Sequence, residues 1–196
     1  MRIAHLSDPH LGPLPRPPLA ALLSKRAFGY ANWVKNRRAA LNPRILDALL
    51  EDLHDHEPDH ICVTGDLVNI AMPHEYDTAA AFLTTLGQPD DVSCVPGNHD
   101  AYVPGGAGMA AKAWALNMSG DDGLQRFPYL RRRGGIAIIG VSTAVATVPL
   151  SARGRVGQAQ CEALRTALDR ADDAYKIGLI HHPPDRALAS GHRGLV

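Results

Sequence analysis

The sequence predicts a layered α/β fold, and three observations support that prediction. Apolar segments with the character of strands alternate along the chain with segments whose apolar residues recur at helical spacing. The strand segments are apolar almost without interruption, which is typical of a sheet covered by other layers on both faces. Gly134-Gly135 lies between two such segments and indicates a hairpin, so part of this central sheet is expected to be antiparallel.

The predicted elements follow one another in a regular order. Strands are expected at 2–6, 60–64, 92–95, in the two arms of the hairpin within 127–143, and at 176–180. Helices are expected at 44–56, 73–86, around 110–116 and at 158–170. Asn42 is expected to cap the first of these helices, with Pro43 at its first position, where a missing N–H costs nothing. Pro73 opens the second helix and Gly87 fits its C-terminal cap.

Composition predicts one globular domain that spans residues 1–196. The chain is 45% hydrophobic and 20% charged, and its formal net charge is zero, so no overall attraction to nucleic acids or membranes is expected. No apolar run approaches the length of about 18 residues that a membrane span needs, and the first residues lack the pattern of a signal peptide. Cys62, Cys94 and Cys161 are expected to be core residues in a reducing compartment, so a cytoplasmic location is predicted.

Residues 13–42 depart from this pattern and are called the basic segment here. They contain six Lys or Arg residues, no acid, and the aromatic residues Phe28, Tyr30 and Trp33. One interpretation is a surface that meets an anionic and partly apolar partner. The other is a helical cap over the core whose charges face water.

Four predicted strands end in polar clusters, each at the carboxyl end. The clusters are Ser7-Asp8-Pro9-His10, Gly65-Asp66, Gly97-Asn98-His99-Asp100 and His181-His182-Pro183-Pro184. Each cluster alone is ordinary for a turn. In a mainly parallel sheet, however, these ends lie along one edge, where α/β proteins place their ligands. The combination therefore indicates a shared site.

The residue types in these clusters are those of a metal site. Asp8 and His10 are two residues apart, so their side chains project to the same side of an extended segment. Asp66 adds a carboxylate with two oxygens that are able to bridge two ions. Asn98 offers an amide oxygen and His181 a ring nitrogen. Mixed oxygen and nitrogen donors without cysteine favour Mn, Fe or Zn.

This series of motifs resembles the calcineurin-like metallophosphoesterase superfamily over nearly the whole chain. The wording HLSDPHLG and LIHHPP is most similar to the bacterial branch that contains class III cyclic-nucleotide phosphodiesterases. The resemblance implies a four-layer α/β/β/α sandwich with a dinuclear centre of two divalent or trivalent ions. It further implies that Asp8 and His10 hold one ion, that Asn98 and His181 hold the other, and that Asp66 bridges both.

The resemblance implies hydrolysis of a phosphoric ester, and specifically of a phosphodiester, by a hydroxide that bridges the two metals. His99 is expected to be the catalytic imidazole near the leaving group. Asp100 is expected either to orient the ring of His99 or to cap the next turn. The substrate is expected to be a nucleotide or a lipid-linked phosphodiester, with no specific nucleic-acid partner. If the substrate is lipid-linked, the basic segment is expected to make peripheral contact with a membrane, and Phe28 and Trp33 are expected to touch lipid.

One family motif is missing from this sequence. Relatives supply two further histidine ligands from a Gly-His-x-His motif, whereas the nearest candidate here is His192 in Gly191-His192-Arg193-Gly194. The chain is therefore expected to be a C-terminally shortened version of the family. Two hypotheses follow, namely an active phosphodiesterase, or an incomplete relative that serves as a binding or scaffold module with a weak or inactive site.

Overall fold

Six strands form two separate three-stranded sheets. The structure, a computed structural model, describes residues 1–38, 41, 43–185 and 195. The first sheet is parallel and contains β1 (Ile3–Leu6), β2 (His60–Val63) and β3 (Val92–Cys94), in that order. The second contains β4 (Tyr129–Arg133), β5 (Ile136–Gly140) and β6 (Tyr175–Leu179), in that order. In it, β4 and β5 form an antiparallel hairpin and β6 runs parallel to β5.

All six predicted strands are therefore present, with ends shifted by at most a few residues, but the expectation of one central sheet is wrong. Apolar periodicity reports that a strand is buried and does not report which strand it pairs with, so it left the division into two sheets open. The two-sheet arrangement implied by the family resemblance is confirmed.

Six α-helices and two shorter helical turns connect and cover the sheets in the described residues. The α-helices are α1 (Leu19–Leu22), α2 (Arg26–Asn32), α3 (Pro43–Asp55), α4 (Pro73–Leu86), α5 (Gly106–Ala113) and α6 (Gln158–Arg170). A π-helical turn at Trp33–Arg37, here called the π-turn, continues α2, and a 3₁₀ turn at Ala115–Met118 follows α5.

The helix predictions for α3, α4 and α6 are confirmed. The short helix α5 begins earlier than predicted and gives way to the 3₁₀ turn over the predicted second half. Asn42, the expected cap of α3, lies outside the described residues. At the start of α4, the buried carboxylate of Glu75 accepts the N–H groups of Met72 at 2.8 Å and Asn69 at 2.6 Å, which fixes the loop between β2 and α4.

The two sheets pack face to face through one large core. Val63 and Cys94 of the first sheet share this core with Tyr129 and Ile138 of the second, and the Tyr129 hydroxyl donates to the Cys94 carbonyl at 2.9 Å. Ile139, the neighbour of Ile138 along β5, belongs to a second cluster with residues of α6 instead. Since successive strand residues point to opposite faces, α6 covers the outer face of the second sheet.

Helices α3 and α4 contribute to the large core from the other side. Their apolar residues in this core include Leu46, Leu50, Leu53, Tyr76, Phe82, Leu83 and Leu86. The order of layers is thus helices, first sheet, second sheet and helix. Both strand cysteines, Cys62 and Cys94, are buried in it as predicted. Across the described residues, no helix combines the length and apolarity that crossing a bilayer demands.

The basic segment packs onto the loop between β2 and α4. The Arg26 guanidinium donates to the carbonyls of Ile70 at 3.0 Å and Ala71 at 2.7 Å. At Gly29, an added Cβ would lie only 2.7 Å from Ile70 Cγ2, so the helix approaches the loop more closely than any side chain would permit. Helix α2 is therefore held in place beside the residues that follow β2.

Candidate metal centre

The loop after β1 presents Asp8 and His10 beside the loop after β2. Asp8 N–H donates to Gly65 O and His10 N–H donates to Asp66 O, both at 3.0 Å. Asp8, His10 and Asp66 all adopt left-handed backbone conformations, with φ of 56°, 41° and 56°. Such conformations are costly for residues other than glycine, and they cluster at functional sites. The two loops are thus locked together in an unusual geometry that brings three candidate ligands side by side.

Asp66 lies at the centre of the candidate site and is only 3% exposed. Its Oδ2 is 3.7 Å from His10 Nε2, and its Oδ1 is 3.6 Å from His181 Nε2. These separations are longer than hydrogen bonds, so the atoms face one another across gaps. Burial raises the pKa of Asp66, which means that a nearby cation would be strongly favourable to its ionised form.

Asp66 is shared by two groups of possible ligands. The ligand atoms of His10, Asp66 and His99 lie within 4.8 Å of one another, and so do those of Asp8, Asp66 and His181. Asn98 adds its Oδ1, which is 3.3 Å from His181 Nε2. All five predicted ligands therefore converge on one place. The structure groups Asp8 with His181 and not with His10, and the assignment of each residue to a particular ion remains a prediction.

The orientations of the two adjacent histidines separate their roles. His181 Nδ1 is 2.6 Å from the Thr64 carbonyl, so this nitrogen carries the proton and the Nε2 lone pair faces Asp66. The ring of His182 is buried between Thr143 Oγ1 at 2.6 Å and the Ala152 carbonyl at 3.1 Å. His182 consequently serves packing, whereas His181 faces the candidate site, and its role as a ligand stays a prediction.

The site arises from both sheets, which corrects one expectation. Asp8, Asp66 and Asn98 follow the three parallel strands of the first sheet, whereas His181 follows β6 of the second sheet. The candidate ligands therefore do not lie along the edge of one sheet. They lie where the carboxyl ends of strands from two packed sheets meet.

His99 is held by contacts that the sequence did not reveal. Its Nδ1 donates to the Asn69 carbonyl at 2.5 Å, and its ring stacks on Tyr102 with centroids 5.2 Å apart. Its ring also makes an edge-to-face contact with the His10 ring, with centroids 4.8 Å apart. Burial, with the charges of His10 and Arg37, holds the pKa of His99 well below its usual value. The ring is therefore neutral, with Nε2 available as an acceptor.

Asp100 caps the backbone, one of the two roles expected for it. Its carboxylate accepts the N–H groups of Asp66 at 2.8 Å, Leu67 at 3.0 Å, Val68 at 3.1 Å and Gly97 at 2.8 Å. The His99 ring is oriented by Asn69 instead. Burial raises the pKa of Asp100, and the N–H donors offset part of that rise. Asp100 thus ties the loop after β3 to the loop after β2.

A residue from outside the four predicted clusters also enters the site. Arg37, the last residue of the π-turn, places Nη1 3.3 Å from His10 Nδ1 and Nη2 3.2 Å from His99 Nε2. The sequence marked the basic segment as a surface for an anionic partner, and nothing in its spacing indicated that one of its six cations would reach the candidate metal ligands.

The residues present fit a centre for cations. Carboxylate, amide and imidazole donors converge without cysteine, which matches the expected ions. Only glycine fits at position 97 between these candidate ligands, because a Cβ there would overlap Asp66 Oδ1 and lie 2.8 Å from His181 Cε1. His192, the nearest candidate for the missing histidine motif, lies outside the described residues.

Comparison with protein families identifies the family of this chain. A family model described as calcineurin-like phosphoesterase matches residues 1–194. No curated protein matches the chain. The narrower likeness to class III cyclic-nucleotide phosphodiesterases stays a prediction.

Proposed function

Because this chain belongs to the calcineurin-like phosphoesterase family, we propose that it hydrolyses phosphodiesters with the help of two metal ions. Membership of the family supports metal-dependent hydrolysis of a phosphoester. The observation that carries the more specific proposal is the position of Asp66. Its buried carboxylate belongs to both ligand groups, which is the arrangement that a bridging ligand requires.

The ligands would be the five residues predicted from the sequence: Asp8, His10, Asp66, Asn98 and His181. Two cations held there would supply a nucleophile by lowering the pKa of a shared water, and would offset charge on the phosphoryl oxygens. The protein's own contribution is to fix the donors in advance. Thr64 orients His181, Val68 lies 3.2 Å from His10 Nδ1, and Asp100 positions the Asp66 backbone.

His99 is proposed to protonate the leaving group. The water gives up a proton to solvent as its oxygen bonds to phosphorus. The bond from phosphorus to the ester oxygen breaks, that oxygen takes a proton from His99 Nε2, and solvent returns a proton to the ring. The products are a phosphomonoester and an alcohol. Because the Nδ1 proton is already donated to Asn69, Nε2 is the nitrogen that faces the substrate. An anionic phosphate beside the ring favours the protonated form that donation requires.

Metal analysis together with a simple chromogenic diester tests this proposal. Purified protein is expected to retain divalent metal and to hydrolyse bis(p-nitrophenyl) phosphate with added Mn²⁺, and chelation followed by removal of metal should abolish turnover. The monoester p-nitrophenyl phosphate is the comparison substrate, and faster hydrolysis of the diester supports phosphodiesterase activity. Absence of both bound metal and metal-stimulated turnover would contradict the enzyme hypothesis and favour a binding or scaffold module.

A substrate with an apolar substituent, rather than a nucleotide base, is proposed on the basis of the cavity beside the site. A cavity of about 350 Å³ opens beside His10, between the loop after β1, the π-turn and the start of α3. Its described lining is mostly apolar, including Leu11 and Leu46, with His10 and Arg38 as polar residues. Trp33 also lines it but is 7% exposed and stacks on Tyr30, so its ring face is not open to a base. A lipid-linked phosphodiester fits this setting better.

Lipid contact is proposed to involve exposed residues of the basic segment. Trp33 is only 7% exposed, so it is not proposed to take part in membrane contact. Phe28 is 55% exposed and Leu23 is 91% exposed. Replacing both with Ser is expected to lower partition onto anionic liposomes by about tenfold, from the apolar surface lost to the bilayer. Sedimentation with vesicles that contain phosphatidylglycerol measures the effect.

The matched control for this measurement is Leu116→Ser, which removes an apolar side chain that is 66% exposed outside the basic segment. It should leave sedimentation unchanged. Equal sedimentation of the wild type and the variant with Ser at both Leu23 and Phe28 would contradict the proposed lipid contact. A soluble diester would then remain as the substrate.

A further inference from the structure

Arg37 is carried to the candidate metal centre by a well-anchored piece of the basic segment. Arg26 and Gly29 fix α2 on the loop that follows Asp66. The π-turn then continues α2 directly, and wider π-helical turns inside helices are frequent at functional sites. The guanidinium at its end is half-buried and lies against the rings of His10 and His99.

The chemistry of the guanidinium suits a phosphoryl group as a further partner at this position. His10 Nδ1 lies 3.2 Å from the Val68 carbonyl and 3.3 Å from Arg37 Nη1. At His99, the single lone pair of Nε2 accepts one N–H of the Arg37 guanidinium. A planar guanidinium presents paired N–H donors that match the oxygens of a phosphoryl group.

The position relative to the proposed chemistry is equally specific. Arg37 Nη2 is 3.2 Å from the His99 nitrogen that would face the leaving oxygen, and Nη1 is 3.3 Å from the ring of His10, a proposed metal ligand. A phosphate bound between the proposed metal ligands and His99 would therefore have Arg37 within reach of its remaining oxygens.

We infer that Arg37 binds a phosphoryl oxygen of the substrate and is a substrate-binding residue that the basic segment adds to this centre. This inference rests on the proposed function. It gives the segment a direct part in the reaction, because the guanidinium offsets phosphate charge and holds the ester beside His99. It also explains why one end of the segment is anchored on the loop that carries Asp66.

Binding of inorganic phosphate tests the inference without relying on turnover. With Mn²⁺-loaded protein, calorimetry is expected to show that Arg37→Gln raises the dissociation constant for phosphate by about 10- to 100-fold. Arg37→Lys should recover part of the loss, since it keeps the charge and loses the fork. For bis(p-nitrophenyl) phosphate, Arg37→Gln should raise KM more than it lowers kcat.

Lys35→Gln is the matched control, because it removes one exposed positive charge from the same π-turn. Its phosphate dissociation constant should stay within about twofold of the wild type, since an exposed charge in water contributes little. Metal content is measured in every variant. A phosphate affinity of Arg37→Gln equal to that of the wild type would overturn the inference, as would a loss of bound metal, which would make Arg37 a positioning residue for His10.

The same experiment keeps this inference separate from the proposed function. If the wild type binds phosphate through Arg37 and fails to hydrolyse either ester, the enzyme proposal fails and the phosphate site stands. If the wild type hydrolyses the diester and Arg37→Gln does so with unchanged KM and phosphate affinity, the enzyme proposal stands and the role of Arg37 is overturned.

Discussion

Asp66→Asn is expected to lower metal-stimulated diester hydrolysis by at least about 100-fold, since loss of even an indirect supporting contact to a metal ligand typically costs 10- to 100-fold. Asp66 is the residue common to both candidate ligand groups, so its loss weakens the binding of either ion. Asn keeps the size of the side chain and one oxygen, which still accepts the His99 N–H now 2.7 Å from Asp66 Oδ1. The measurements are kcat/KM and metal content by mass spectrometry.

The free energy of unfolding of Asp66→Asn shows whether a loss of activity comes from lost metal or from a destabilised fold. Burial disfavours the ionised form of Asp66, so removing its charge should not lower the free energy of unfolding of the metal-free protein. Asp47→Asn, an exposed substitution of the same kind in α3, is the control and should leave turnover unchanged. Wild-type turnover and metal content in Asp66→Asn would contradict the centre described above.

Asp100→Ala is expected to lower the free energy of unfolding by about 3 kcal/mol or more, because four buried N–H groups lose their acceptor. The loops after β2 and β3 should separate, and turnover should fall with them, although Asp100 contacts neither proposed ion. Urea unfolding followed by circular dichroism measures the stability, and diester hydrolysis measures the consequence for the site.

Two further variants make this result interpretable. Asp100→Asn preserves shape but turns an NH₂ group towards backbone N–H donors, so it should cost less than Asp100→Ala and still be measurable if the alanine variant does not fold. Asp77→Ala removes an exposed carboxylate from α4 and should change stability by less than about 0.5 kcal/mol. An unfolding free energy of Asp100→Ala within 1 kcal/mol of the wild type would contradict the capping role.

The residues around His99 show which features of this site could be predicted from the local sequence. Asn69 orients His99 through its backbone carbonyl, a group that every residue possesses, so no side-chain pattern could have indicated it. Tyr102 follows the Gly97-Asn98-His99-Asp100 cluster by two residues and was visible beside it, yet its stacking on His99 depends on the turn between them. For Asp100, the cluster suggested two roles, and only the positions of four N–H groups from two loops decided between them.

The sequence by itself determined the alternation of strands and helices and the residues that would carry chemistry. Asp8, His10, Asp66, Asn98 and His181 were recognisable because strand ends and residue types are local properties, written in periodicity and in the donors each side chain offers. Tertiary structure alone decided that the strands divide into two sheets, that the ligand candidates meet between them, and that Arg37 joins them from the basic segment. These outcomes depend on packing between segments far apart in the chain, and such packing is fixed by shape and burial over the whole molecule.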